Sequence, residues 1–255
     1  HPSSKGPLLA TIENALLKPH VSNIADKGLA NLLEGNRLAD LRRMYLLLDR
    51  VGSSDLIKAG WLDFIRRHGE ALVKDTSKDK TLVEEILHFH DCQQDMLKNA
   101  FSNQEAFKGA LRGSFEYFLN LFPGRTAELL AKYVDKKLRG ERGVSEEEVE
   151  KALNRCMTIF RFLHGKDVFE AFYKKALSKR LLYGKSSSTE LEKNMITKMK
   201  TECGANFTAK LEGMFQDIDM SSEVEAGYKE NLQSEESTMM MTGGKAPSAQ
   251  QGKVD

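Results

Sequence analysis

Apolar residues in this chain recur every three or four positions as far as Ile218, and nowhere do they alternate with polar ones over a strand's length. A period near 3.6 lines side chains up on one stripe of an α-helix, whereas a half-buried strand needs a period of two. The chain is therefore expected to be all-α. Leu8, Ile12, Ala15 and Leu16 form a first stripe, and Leu38, Leu41, Tyr45, Leu48 and Val51 a second, both turned to a core. Gly28 and the pair Gly35–Asn36 are candidate breaks. Asp55 to Val73 reads as a further helix with Trp61, Phe64 and Ile65 inward, and Asp75 to Lys80 as a polar loop. Thr81 to Phe122 divides into two helices, the second carrying Phe107, Leu111, Phe115, Phe118 and Phe122. Phenylalanines at helical spacing bury large apolar area and read as core packing rather than as a ligand pocket.

Pro123–Gly124 is the sharpest punctuation in the sequence, because proline lacks an amide donor and glycine invites a turn. A domain boundary is expected there, with Thr126 capping a helix that holds Leu130, Val134 and Leu138 and ends at Gly140 to Gly143. Ser145-Glu146-Glu147-Glu148 is a capping box. It opens a helix carrying Val149, Leu153, Cys156, Phe160 and Leu163, which His164–Gly165 stops. Asp167 to Leu182 follows, with Val168, Phe169, Phe172, Ala176 and Leu177 inward and Gly184 closing it. Ser187 with Glu190 starts a last long helix, running from Leu191 through Cys203 to Ile218, that Gly204 and Gly213 are expected to bend. Four amphipathic helices joined by short loops form a bundle most economically. The expected organisation is helical repeats over 1–122, a four-helix bundle over 123–228 and a disordered tail over 229–255, where polar residues surround Met239-Met240-Met241 without periodicity.

Lys and Arg total 38 against 37 Asp and Glu, so no global field favours nucleic acid or an acidic membrane, and neither is an expected partner. Cys92, Cys156 and Cys203 are sparse, odd in number and without a CxxC pair. They read as free thiols of a reducing compartment, cytoplasmic or nuclear. No signal peptide or apolar run long enough to cross a bilayer is present. The first residue is His1, which implies a segment that begins inside a longer chain or a trimmed start.

Candidate chemistry is thin. Gly184-Lys185-Ser186 imitates the end of a phosphate-binding loop, but the upstream glycine is missing where Arg180 stands, and no strand precedes it. His88, His90 and Cys92 are ligand types, yet only His88 and Cys92 share a helix face and a fourth ligand is not in view. No nucleophile setting or paired carboxylate suggests catalysis, and no cofactor is expected. Lys136, Lys137, Arg139 and Arg142 form a basic cluster at a helix end. Such a cluster complements the negative end of the helix dipole, or it steers an acidic peptide to a docking site.

Four strings carry a family resemblance: Asp167-Val168-Phe169-Glu170-Ala171-Phe172-Tyr173-Lys174, Ser178-Lys179-Arg180-Leu181-Leu182, Glu202-Cys203-Gly204, and Lys210-Leu211-Glu212-Gly213-Met214-Phe215. They resemble the helical-bundle segment of the cullins, scaffold subunits of multi-subunit ubiquitin ligases. Phe160 to Asp167 and Leu211 to Phe215 resemble the cullin-4 type most. The resemblance covers roughly Leu8 to Tyr228. It implies the end of the cullin repeats followed by the four-helix bundle, in a non-catalytic scaffold that positions a substrate receptor relative to a RING-box protein and a ubiquitin-conjugating enzyme. The implied partners are those proteins and the cullin regulators. The adaptor-binding and RING-box-binding regions of the family are not matched, and 233–255 match nothing in it. The resemblance also places Lys136, Lys137 and Arg139 in a basic groove that receives acidic parts of conjugating enzymes. Two other readings remain open: a truncated cullin that is inhibitory or vestigial, and a generic helical-repeat binding module.

Overall fold

The structure is a computed structural model that describes residues 2–140 and 143–241, with side chains over 6–140 and 143–235. All of the secondary structure among the described residues is helical. The helices are α1 (Pro2–Leu16), α2 (Val21–Glu34), α3 (Leu38–Asp49), α4 (Ser54–Lys74), α5 (Leu82–Asn99), α6 (Glu105–Leu119), α7 (Pro123–Leu138), α8 (Glu146–Phe162), α9 (Lys166–Leu182), α10 (Thr189–Cys203) and α11 (Ala205–Met241). Short 3-10 turns at Lys18–His20 and Thr76–Lys78 punctuate the first half.

The inward residues keep the helical period. In α4, Ile57, Trp61, Ile65, Gly69 and Val73 are buried at steps of four, one turn each. Gly69 is where α4 meets α6: a Cβ there would stand 2.2 Å from the Phe118 ring. In α7, Ala127, Leu130, Ala131, Val134 and Leu138 are buried, and α7 packs on both α8 and α9. α11 lies against α9 and α10. One contiguous apolar cluster runs from Val21 to Phe215.

Polar side chains fasten the first six helices to the later ones. Arg125 of α7 donates to the Val73 carbonyl at 2.5 Å, the Asp75 carbonyl at 3.1 Å and the Asp79 carboxylate. Asn120, at the end of α6, donates to the Phe162 carbonyl and accepts from the His164 amide, both at 2.8 Å. The capping box also forms: Glu148 donates its amide to Ser145 Oγ at 3.3 Å, and the Ser145 amide donates to Glu148 Oε2 at 3.1 Å.

Several expectations are corrected. α2 runs through Gly28, and its break falls at Gly35–Asn36, where Asn36 takes φ 49°. Pro123 begins α7, where a first-turn residue needs no amide donor. Thr126 therefore lies inside the helix, its hydroxyl returning to the Phe122 carbonyl at 3.2 Å, and does not cap it. The expected last helix is two helices, since Gly204 at φ 87° ends α10, while α11 passes through Gly213. Leu8, Ile12 and Leu16 of α1 are exposed, not turned to a core. Disorder was expected for 229–255, yet α11 is helical to Met241; the remaining tail positions lie outside the described residues.

Candidate partner-docking surface

The basic end of α7 follows from how that helix terminates. Lys136 and Lys137 occupy its last turn and Arg139 its C-cap, at the negative end of the helix dipole. Gly140 then turns the chain at φ 80°. A helix end scatters successive residues around its axis, and Lys136 and Arg139 open onto different grooves. Lys136 lines a cavity of about 440 Å³ between α7 and the start of α5, floored by Val83, Leu129 and Tyr133 and rimmed by Lys80 and Lys132. The Lys137 ammonium sits 5.3 Å above the Tyr133 ring. Arg139 faces the other way, onto a groove between α7 and α9, and its Nε donates to Asp135 at 2.9 Å. Arg142 lies outside the described residues.

Behind this surface is an ionic core that sequence reasoning missed. Arg180 is fully buried, and its guanidinium donates to both Glu192 oxygens, at 2.5 Å and 2.9 Å, and to Asp135 at 2.5 Å. Glu192, equally buried, also accepts from Ser186 at 2.9 Å and from Tyr173 at 3.3 Å. Burial disfavours the Arg180 charge, but the hydrogen bonds and charge of Glu192 outweigh it, and its pKa is raised. Burial and the Glu192 charge push the Tyr173 phenol well up. A signal was available: Phe169, Tyr173, Leu177 and Arg180 fall at steps of four, four and three, a single helix stripe. Following the apolar residues alone places Phe172 inward, whereas it is 36% exposed.

The other candidate residues are committed elsewhere. Cys92 Sγ lies 3.7 Å from His88 Nε2, while His90 turns away to pack edge-on against Phe115. Among the described residues no three or more His, Cys, Asp or Glu side chains gather to hold a metal. Burial pushes the Cys156 thiol up to about 12, far from a nucleophilic thiolate at neutral pH. The turn at Gly184 to Ser187 is tied into the fold: the Lys185 amide donates to the Arg180 carbonyl and the Ser187 amide to the Leu138 carbonyl. Among the described residues no helix is long and apolar enough to cross a membrane.

The described residues form an all-α stack of helices, in which Cys156 is buried and Cys92 and Cys203 are half-buried. The chain matches the Cullin alpha solenoid domain over residues 1–225 and belongs to the cullin family. It is 45% identical to Cullin-4A of Homo sapiens over 235 residues, covering 91% of this chain and 31% of that protein. It is 44% identical to Cullin-4 of Dictyostelium discoideum over 230 residues, 90% of this chain and 29% of that protein. Cullin-3 of the same organism matches at 39% over 239 residues. The chain thus spans under a third of the length of these curated relatives.

Proposed function

We propose that this chain is a scaffold segment of a cullin-RING ubiquitin ligase. In that role it is a non-catalytic spacer that holds a substrate receptor at a set distance and angle from a RING-box protein and its ubiquitin-conjugating enzyme. The carrying observation is the uninterrupted core from Val21 to Phe215, clamped across its middle by Arg125 and Asn120, in a chain of this family. A stiff spacer raises the effective concentration of one bound partner at the other, and that gain vanishes when the geometry is lost. Units over 1–122 and 123–228, and a cytoplasmic or nuclear location, belong to the same proposal.

Its test is a chimera in which residues 1–225 replace the matching segment of a cullin-4 relative, assayed for ubiquitin transfer to a receptor-bound substrate. Transfer near the parent's rate is expected. A chimera that folds and binds the parent's partners but transfers no ubiquitin would refute the reading. Lys136, Lys137, Arg139 and Arg142 are proposed to dock acidic parts of the conjugating enzyme. Lys136→Glu with Lys137→Glu should then slow enzyme recruitment, more at low salt than at high, with helicity unchanged by circular dichroism. An unchanged recruitment rate would remove these lysines from the site.

A further inference from the structure

The groove between α7 and α9 is built differently from the rest of the basic surface. Ala131 and Ala176 are small, which lets a recess of about 240 Å³ open between the helices. Phe172 forms part of its wall and is 36% exposed, an unusual position for a phenylalanine on a helix that buries Phe169 and Tyr173 completely. Four cations surround it, Lys132, Arg139, Lys175 and Lys179, of which Lys132 is paired with Glu128 at 2.6 Å. Its one carboxylate, Asp135, is already spent, with one oxygen accepting from Arg139 and the other from buried Arg180. Lys175 and Lys179 are both exposed, one helical turn apart on the outer side of α9.

We infer that this groove seats an acidic protein segment through an apolar anchor. One aromatic or branched aliphatic side chain enters beside Phe172, and carboxylates on either side of it meet Lys175 and Lys179. The inference deepens the docking proposal above and rests on it for the acidic character of the partner. It adds a specificity element that charge alone lacks, because a purely electrostatic surface accepts any polyanion. Lys175 and Lys179, spaced about 6 Å apart along α9, set the spacing of carboxylates the segment must carry.

The experiment uses the full chain and three fluorescein-labelled probes, read by fluorescence anisotropy. Two are twelve-residue peptides of Glu and Ser that differ only in a central Leu or Ala, and the third is a single-stranded oligonucleotide of similar charge. The Leu peptide is expected to bind roughly tenfold more tightly than the Ala peptide, the effect of burying one branched side chain. Phe172→Ala and Ala176→Leu, which fills the recess, should each erase that tenfold ratio, while Lys175→Glu with Lys179→Glu weakens both peptides. Thermal melts of the variants keep loss of folding separate from loss of binding. If both peptides bind equally, or the oligonucleotide binds as well as the Leu peptide, the anchored groove is overturned while acidic docking stands. If neither peptide binds, both proposals fall.

Discussion

The two halves of this solenoid solve the same packing problem with opposite chemistry. In the first, Tyr45, Trp61, Phe101 and Phe107 meet with ring centroids 4.6 to 5.8 Å apart, and Trp61 donates to Gln93 at 2.8 Å. In the second, the middle is the ion network of Arg180, Glu192, Asp135 and Tyr173. Apolar burial is tolerant of direction, so the aromatic core stabilises without fixing one register. A buried guanidinium is intolerant: it must meet α7, α9 and α10 in one arrangement or remain uncompensated. The contrast teaches that stability and register are separable, and that the half presenting the basic surface is the one whose helix positions are fixed ionically.

The comparison breaks most readily at its two centres. Trp61→Ala and Arg180→Met should each cost about 3–5 kcal/mol in urea unfolding, the first through a cavity and the second through Glu192 left buried without its cation. The sharper reading is the rescue. Arg180→Met combined with Glu192→Leu should recover most of the loss, since apolar residues of similar volume commonly replace a buried ion pair at little cost. Trp61→Ala combined with Gln93→Leu should recover far less, because the missing volume stays missing. Equal recovery in both cores would erase the distinction drawn between them.

Two smaller effects separate close packing and helix ends from the cores themselves. Gly69→Ala would press a methyl group into Phe118 and is expected to cost about 1–3 kcal/mol, relieved by Phe118→Leu in the same chain. No relief would mean that α4 and α6 are held apart by something other than that ring. Ser145→Ala removes one arm of the capping box and should cost about 1 kcal/mol, with Ser145→Asp restoring it. A loss unaffected by Asp at that position would place the effect outside the cap.

Much of this architecture was legible because the apolar period is intact from α2 to α10. What escaped did so for identifiable reasons. Gly28 resembles a break, yet a helix interior absorbs one glycine for about 1 kcal/mol when neighbouring helices pack on it. Gly204 looks just as mild, yet it takes φ 87°, a conformation that depends on the chain path and not on composition. The ionic core was hidden because an arginine in Ser178-Lys179-Arg180-Leu181 looks like one more solvated charge; only its register with Tyr173 and Leu177 marks it as inward. The docking surface was read as one cluster because sequence proximity says nothing about azimuth. Lys136 and Arg139 are three residues apart and open onto different grooves.

The smallest expected effect concerns protons and again divides the halves. His68 stacks on Phe89 at 4.4 Å, and His90 packs among Phe115, Phe162, Asp91 and Arg155. Burial holds both imidazoles below their ordinary value of 6.5, against the pull of Glu85 on His68 and of Asp91 on His90; Lys78 and Arg155 add to the depression. Below pH 6.5 the unfolded chain takes up these protons before the folded chain does, so stability is full above that value and falls as pH drops through the folded pKa values. The ion network of the second half holds no imidazole, and its Arg180 and Tyr173 are both pushed up, away from this window. Urea unfolding at pH 7.5 and 5.5 measures the slope. His68→Gln with His90→Gln should flatten it, while Arg180→Met with Glu192→Leu should leave it unchanged. A slope that survives the histidine changes and disappears with the ion network would place the chain's pH sensitivity in the opposite half.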